Sequence, residues 1–454
     1  MKKSLLILVL FFFNQLMTQE ELVVQLSTKA PLAKVYISDI YNEGSAFSNH
    51  YLERVRKVLE FDLHYSGYMQ VTPRENQKNI LLSYSNEKTA FDAKIWKKEF
   101  DYVIKAKVRK KDLHIQIYAT KTQVVRTFST MTLSGDLNQD RRKLHQIADS
   151  IQQIYFGKIG VASLKLLYTV RISNPETRGP KWFSEVWSCD YDGANATQIT
   201  KERQYCVHPL FVLFGNEDGI DKKFMYISFK TGQSKLYWSS MSMPVNPELV
   251  LSLRGNQLLP ALSQKQDKIA FISDAAGRPD LFLQYLSPEG KKEGKPLQLF
   301  SYPRATQASS SFSPDGNKIA FVSDKDGTPR IYILHVPKKG DYSKQPVANL
   351  LTKMNKHNVT PSWSCDGTKL AYSAKTGNVR QIWLYDFNVD EEVQLTFGNE
   401  NKENPLFAPD GIHLIYNTED SLSSELFLIN IHQLKPVKIS QGYGRKRFPS
   451  WEPL

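Results

Sequence analysis

At 454 residues the chain is long enough for two or three domains and a sizeable core, and its formal net charge of +13 favours anionic partners. The basic clusters at 105–111, 291–295 and 445–447 fall at hairpin turns and strand edges, where lysine solvates and protects an edge; no groove-reading motif accompanies them, which excludes nucleic acid. Three cysteines, Cys189, Cys206 and Cys365, lack metal-ligand spacing, so no metal is expected, while a Cys189 to Cys206 disulfide and independent buried thiols are both compatible with the sequence.

Lys2 and Lys3 precede an apolar run at 5–13 that is too short to span a bilayer and is shaped like a secretory signal, cut near residues 17–20. Residues 1–19 are therefore expected to be removed, giving an exported protein that is not integral to a membrane.

Residues 20–157 read as a small α/β domain. Short strands are expected at 21–26 and 34–37, on either side of Pro31. From His50 to His64 the apolar residues Leu52, Val55, Leu59 and Leu63 recur at steps of three and four, one face of a helix, with Ser48 or Asn49 to cap it and Gly67 to end it. Three alternating runs at 101–108, 113–118 and 124–128 predict an antiparallel meander. A second helix follows, with Leu144, Ile147, Ile151 and Ile154 on its apolar side, Asp136 or Asn138 as cap and Gly157 at its end.

Residues 158–454 are a repeat array. The unit is clearest at 311–334, where Pro314-Asp315-Gly316 reverses the chain between apolar strands. Copies stand around 268–283, 361–384 and 405–428, and weaker ones around 224–238 and 166–187, which makes six. The last residues, Phe448-Pro449-Ser450-Trp451, repeat only the opening strand of the unit. The copy around Leu166 lacks that strand. The C-terminal strand is therefore expected to complete the first blade, closing a six-bladed β-propeller without an open edge. In chain order the fold class is an N-terminal α/β domain followed by this propeller.

The sequence carries little sign of chemistry. A peptidase of the propeller type requires a G-x-S-x-G elbow, which is absent, as are H-E-x-x-H, Walker A and a strand-linked G-x-G-x-x-G. Asp190-Tyr191-Asp192-Gly193 faintly resembles a calcium loop, but a β-turn explains it better. No catalytic residue, cofactor or metal ligand is assigned.

With these features in hand, the chain resembles the TolB family of the bacterial Tol-Pal envelope system. Phe312-Ser313-Pro314-Asp315-Gly316-Asn317-Lys318-Ile319-Ala320-Phe321 is similar to that family's propeller repeat, Asp62-Leu63-His64-Tyr65-Ser66-Gly67-Tyr68 to its first-domain segment, and Glu21-Leu22-Val23-Val24 to the strand that opens its mature chain. The resemblance implies a non-enzymatic periplasmic scaffold. Its propeller mouth would bind the peptidoglycan-associated lipoprotein Pal. Its N-terminal strand, here Glu21, Leu22, Val23 and Val24, would engage the inner-membrane protein TolA, and other outer-membrane proteins are possible partners. Envelope integrity and outer-membrane constriction at division are the implied roles. On the loops that gather at the mouth, Arg304, Thr306, His357, Asn358, Thr360 and Asn404 are the expected Pal-like contacts. Ala305 departs from the histidine frequent in the family after that arginine, which bears on partner specificity. Asp274 and Asp324, each after a serine, are expected to cap their own loops. The alternatives are a glycan- or peptidoglycan-binding propeller, suggested by Trp187, Trp238, Trp363, Trp383 and Trp451, and a channel-centred hydrolase or lyase.

Overall fold

The computed structural model describes residues 31–83, 96–128, 130–174, 180–216, 219–242 and 246–454, with the side chains of 214–221 left aside. The expected signal and the strand from Glu21 to Val24 lie outside the described residues.

The N-terminal domain is built from β1 (Ala33–Glu43), α1 (Asn49–His64), β2 (Met69–Val71), α2 (Asn76–Ser83), β3 (Tyr102–Arg109), β4 (Asp112–Ala119), β5 (Val124–Thr127), β6 (Met131–Thr132) and α3 (Leu137–Phe156). The sheet runs β2-β1-β3-β4-β5. β1 is parallel to both its neighbours and β3, β4 and β5 form the antiparallel meander. α1 and α3 bury Leu52, Val55, Leu59, Leu144 and Ile151 against Ile37, Ile104, Ile115 and Ile117 of the sheet. The Ser48 hydroxyl accepts the Tyr51 amide (3.2 Å) at the start of α1, and Gly157 ends α3 at φ 65°.

One expectation needs correction here, and one element went unread. Ile154, placed on the apolar side of α3, is 45% exposed. In that last turn the interior position goes to Gln152, whose amide donates to the Ile159 carbonyl (2.9 Å) as the chain turns toward the propeller. α2 was not legible because Ile80 and Leu81 face outward, while the buried residues are Leu82 and the polar Asn79, which accepts the Tyr36 hydroxyl (2.9 Å).

Six four-stranded antiparallel sheets follow, each in simple sequential order except the one that joins the two ends. There Arg445–Trp451 pairs antiparallel with Lys165–Ser173, Trp451 opposite Leu166 and Arg445 opposite Arg171, and Trp182–Asp190 and Thr197–Gln198 complete the blade. Closure is thus as the repeat count predicts. The second strand of each blade is sandwiched between neighbouring sheets, so Lys318–Ser323 is buried at every position after the first and reads as a continuous apolar run. At the turns after three of the inner strands an aspartate makes the reversal: Asp315 accepts the Asn317 amide (3.0 Å) and the Ser313 hydroxyl (2.5 Å), and Asp366 and Asp410 likewise accept an amide two residues on.

The α/β domain sits on the face that carries these turns, over the first and last blades. Gly67 approaches so closely that a Cβ there would lie 2.6 Å from Ile412 Cδ1. His145 Nδ1 lies 2.8 Å from Asp62, Tyr191 donates to the same carboxylate (3.0 Å), and Arg141 pairs with Asp192. His413 is placed between two acceptors, Asp410 Oδ2 at Nδ1 (2.5 Å) and the Tyr65 carbonyl at Nε2 (2.5 Å). A neutral imidazole has one N–H and cannot donate to both, so the geometry calls for the imidazolium. Burial opposes that charge, but Asp410, the Tyr65 carbonyl and the more distant Asp149 outweigh it and hold the pKa above the ordinary histidine value.

Two outcomes are expected. Trp451→Ala, at a site 6% exposed in the closing strand, should destabilise the propeller by about 3–5 kcal/mol in denaturant unfolding. Because the raised His413 pKa stabilises the folded joint at low pH and that contribution is lost as pH rises through the folded value, amide exchange around Tyr65, relative to its intrinsic base-catalysed rate, should quicken as pH rises above the ordinary histidine value. His413→Gln should flatten the dependence.

Candidate functional site

The connections from one blade to the next, and those between each blade's second and third strands, gather at the face opposite the α/β domain, around the central channel. The inner strand of each blade has one edge on the channel, and every inner strand carries a register shift two or three residues from its start. In five of them the bulged residue has a positive φ: His208 (52°), Leu259 (50°), Thr360 (52°), Asn404 (53°) and Phe448 (52°). Each is followed by a proline, at 209, 260, 361, 405 and 449. A proline costs nothing where the amide would otherwise point, unpaired, into the channel. The bulge costs backbone strain, and it turns these side chains inward around a cavity of about 110 Å³. His208 stacks on Phe448 (centroids 3.7 Å apart), and burial pulls its pKa down to about 3, so it is neutral at physiological pH.

The loops above the cavity are held by buried side chains at the start of the inner strands. Gln257 donates to the Leu251 (3.2 Å) and Leu253 (3.1 Å) carbonyls, Asn358 to Asn355 (2.9 Å), and Lys402 to Phe397 (3.0 Å). Asp274 and Asp324 add a second clamp, and their target differs from the expected one. Asp274 accepts the amide and side chain of Asn256 (2.6 and 2.7 Å) and Asp324 the amide of Thr306 (2.6 Å), so both tie down the neighbouring interblade loop. Their own loops are capped by the preceding serines, Ser273 on the Ala275 amide and Ser323 on the Lys325 amide. The carboxylates reach across because the two loop families lie side by side at the mouth, a juxtaposition that no local pattern reveals.

The six expected contacts separate into layers. Arg304 (φ 62°), Thr306 and His357 (φ 60°) are on the rim, the first two exposed. The His357 carbonyl accepts Arg380 (2.9 Å). Thr360 and Asn404 line the cavity, Asn404 donating to Asn417 (2.8 Å). Asn358 is fully buried and holds the His357 loop from beneath. Ala305 is buried too, so the departure from histidine lies under the rim.

Sequence reasoning missed the apolar residues of this face. Tyr302 (43% exposed), Met354 (71%), Phe397 (53%), Leu422 (90%) and Tyr443 (75%) project from five different loops. Single apolar residues in polar loops leave no periodic signal. The bulged residues did leave one, in the prolines that follow them.

Elsewhere the flagged residues are structural. Trp363 stacks on Phe387 (5.2 Å) and donates to the Gly367 carbonyl (3.2 Å), Trp383 donates to Thr376 (2.9 Å), and Trp187, Trp238 and Trp451 pack against the blade cores. Asp190 to Gly193 is a turn closed by the Gly193 amide on the Asp190 carbonyl (2.9 Å). Asp62, His145 and Asp192 bring ligand atoms within 4.8 Å of one another, but the Arg141 guanidinium already takes the cation's place on Asp192. Cys189 and Cys206 are free and buried, and burial pushes both thiols far above their ordinary pKa.

Fold and site together define a two-domain β-propeller protein, capped by its α/β domain on one face and open on the other. A family profile described as the TolB beta propeller domain matches residues 156–454. The curated TolB homolog of Protochlamydia amoebophila is 44% identical over 394 residues, covering 87% of this chain and 83% of that one. The one from Chlamydia pneumoniae is 32% identical, covering 72% and 73%. The crystal structure of TolB from Acinetobacter baumannii superposes with a TM-score of 0.70 over 93% of this chain and 97% of that one, at 20% identity, a likeness of fold. The chain belongs to the TolB family.

If Asp324 clamps the interblade loop, Asp324→Ala should raise the exchange rate of the Thr306 amide by about ten- to hundredfold, the loss of one charge-assisted hydrogen bond, while the melting temperature moves little.

Proposed function

We propose that this protein is a non-enzymatic periplasmic scaffold of Tol-Pal type. Its propeller mouth docks a Pal-like, peptidoglycan-associated outer-membrane lipoprotein, and Glu21, Leu22, Val23 and Val24 engage a TolA-like inner-membrane protein. The scaffold serves envelope integrity and outer-membrane constriction at division. Membership of the TolB family supports the reading at the level of the system. Among the described residues no helix is long and apolar enough to cross a membrane.

The observation that carries the docking site is the mouth itself: five exposed apolar side chains on clamped loops surround a closely lined channel of mixed apolar and polar residues. Apolar anchors on a preorganised frame with polar neighbours are what protein recognition uses, because little entropy is lost when such a surface is covered. Arg304, Thr306 and His357 would supply hydrogen bonds at the rim, and Thr360 and Asn404 would receive whatever enters the channel. Asn358 acts through the loop it holds.

Retention of a solubilised outer-membrane fraction on the immobilised protein tests this, with the retained species identified by mass spectrometry. A lipoprotein with a peptidoglycan-binding domain is expected, uncompeted by soluble glycan. Met354→Asp and Leu422→Asp should each weaken it by about tenfold or more. Competition by glycan, or retention indifferent to both substitutions, would overturn the reading.

A further inference from the structure

The surplus of positive charge is unevenly used at the mouth. Six exposed cations there make no ion pair among the described residues: Lys181 and Lys375 on hairpins within blades, and Lys201, Arg254, Arg304 and Lys356 on connections between blades. They come from six different loops and therefore ring the opening.

The carboxylates of the same face are occupied. Asp274 and Asp324 hold loop amides, Glu419 takes both Arg445 and Arg447, Glu403 faces Arg380 (3.6 Å) and Glu202 binds Tyr226, Ser228 and Lys230. Asp326 accepts Tyr332 and Lys325, and Asp420 caps its own loop. Glu400 is the one exposed acid of these loops whose carboxylate has no hydrogen bond or ion pair among the described residues. Hydrogen bonds and ion pairs thus engage all of these acids but Glu400, of which Asp326 and Asp420 also stay exposed, and leave six bases unpaired on the surface.

We infer that the mouth is an electropositive collar selecting an acidic polypeptide, whose carboxylates meet the six free cations while its apolar side chains seat among Met354, Phe397, Leu422 and Tyr443. The inference rests on the docking role proposed above and adds the chemistry of the partner. A sugar–phosphate chain would satisfy the cations and leave those apolar residues uncovered, so a polypeptide fits the whole surface and a nucleic acid half of it. The cations stand on exposed loops, where charge acts mainly on the approach of the partner and on the rejection of basic competitors.

The test uses the full mature chain and the triple variant Lys201→Glu, Arg254→Glu, Lys356→Glu, whose exposed positions should leave the melting curve unchanged. The probes are a disordered peptide rich in Asp, Leu and Trp, its twin with Lys for Asp, a duplex oligonucleotide, and the lipoprotein retained from the outer-membrane fraction. The acidic peptide should bind, the lysine twin should not, and the oligonucleotide should be displaced by the acidic peptide. Association of peptide and lipoprotein should slow by about tenfold or more between about 0.05 M and about 0.5 M salt, and by a similar factor in the triple variant. Equal binding of the twin, tighter binding of the oligonucleotide, or lipoprotein association indifferent to salt and to charge reversal would overturn the inference. The last outcome would leave the docking role standing. Charge-dependent peptide binding with no lipoprotein retained would do the reverse.

Discussion

The structure depends on the pairing of Arg445–Trp451 with Lys165–Ser173. Joining strands so far apart in the chain carries a loop-closure cost that grows only slowly with separation. Against it stand a full ladder of hydrogen bonds, the burial of Trp451, and the removal of an edge that would otherwise recruit another chain. The residue after Trp451 extends the latch: Glu452 accepts the Lys165 amide (2.9 Å) and pairs with Lys222 of the next blade (2.6 Å). Without closure there is no channel, no ring of loops at the mouth, and no fixed seat for the α/β domain.

Around the channel the closed ring turns backbone constraint into a surface. Each inner strand bulges toward the axis, and in three of them a buried residue at its start, Gln257, Asn358 or Lys402, reaches back to fasten the loop that led into it. Serines tie neighbouring inner strands, Ser311 accepting the Trp363 amide (3.1 Å) and Ser362 the Phe407 amide (2.9 Å). The interblade loops, which on an open sheet would be the most mobile part of the protein, are thereby held as a frame. The same internal hydrogen bonding engages most carboxylates of the mouth and leaves six cations unpaired, so the holding of the loops and the excess of free cations share one origin.

On the other face, charged and polar groups join the domains. Buried ion pairs add little to net stability, because desolvation offsets their attraction, but leaving one member unpaired is expensive, so they define a single docking geometry. Asp62, His145, Asp192 and Arg141 on one side of the joint, and Asp410, His413 and the Tyr65 carbonyl on the other, do this for the α/β domain. The joint lies across the propeller from the mouth, so a partner at the mouth does not compete with the domain for surface.

Much of this architecture is local in origin and could be read from the chain. Turn residues such as Pro314-Asp315-Gly316 act within a few residues. Helix periodicity needs only the helix, and the missing strand near Leu166 and surplus strand at Trp451 are matters of counting. The candidate site was legible in outline, as the loops carrying Arg304 and His357, whereas Asn404, expected on a loop, lies within the inner strand Asn401–Phe407. Which loop Asp324 would clamp, that Asn358 would be buried while Met354 and Leu422 stand out, and which charges would be left unpaired were decided only by tertiary structure. Each depends on what a neighbouring blade, some fifty residues away in sequence, places within hydrogen-bonding distance, and burial and pairing are properties of the closed ring rather than of any segment of it.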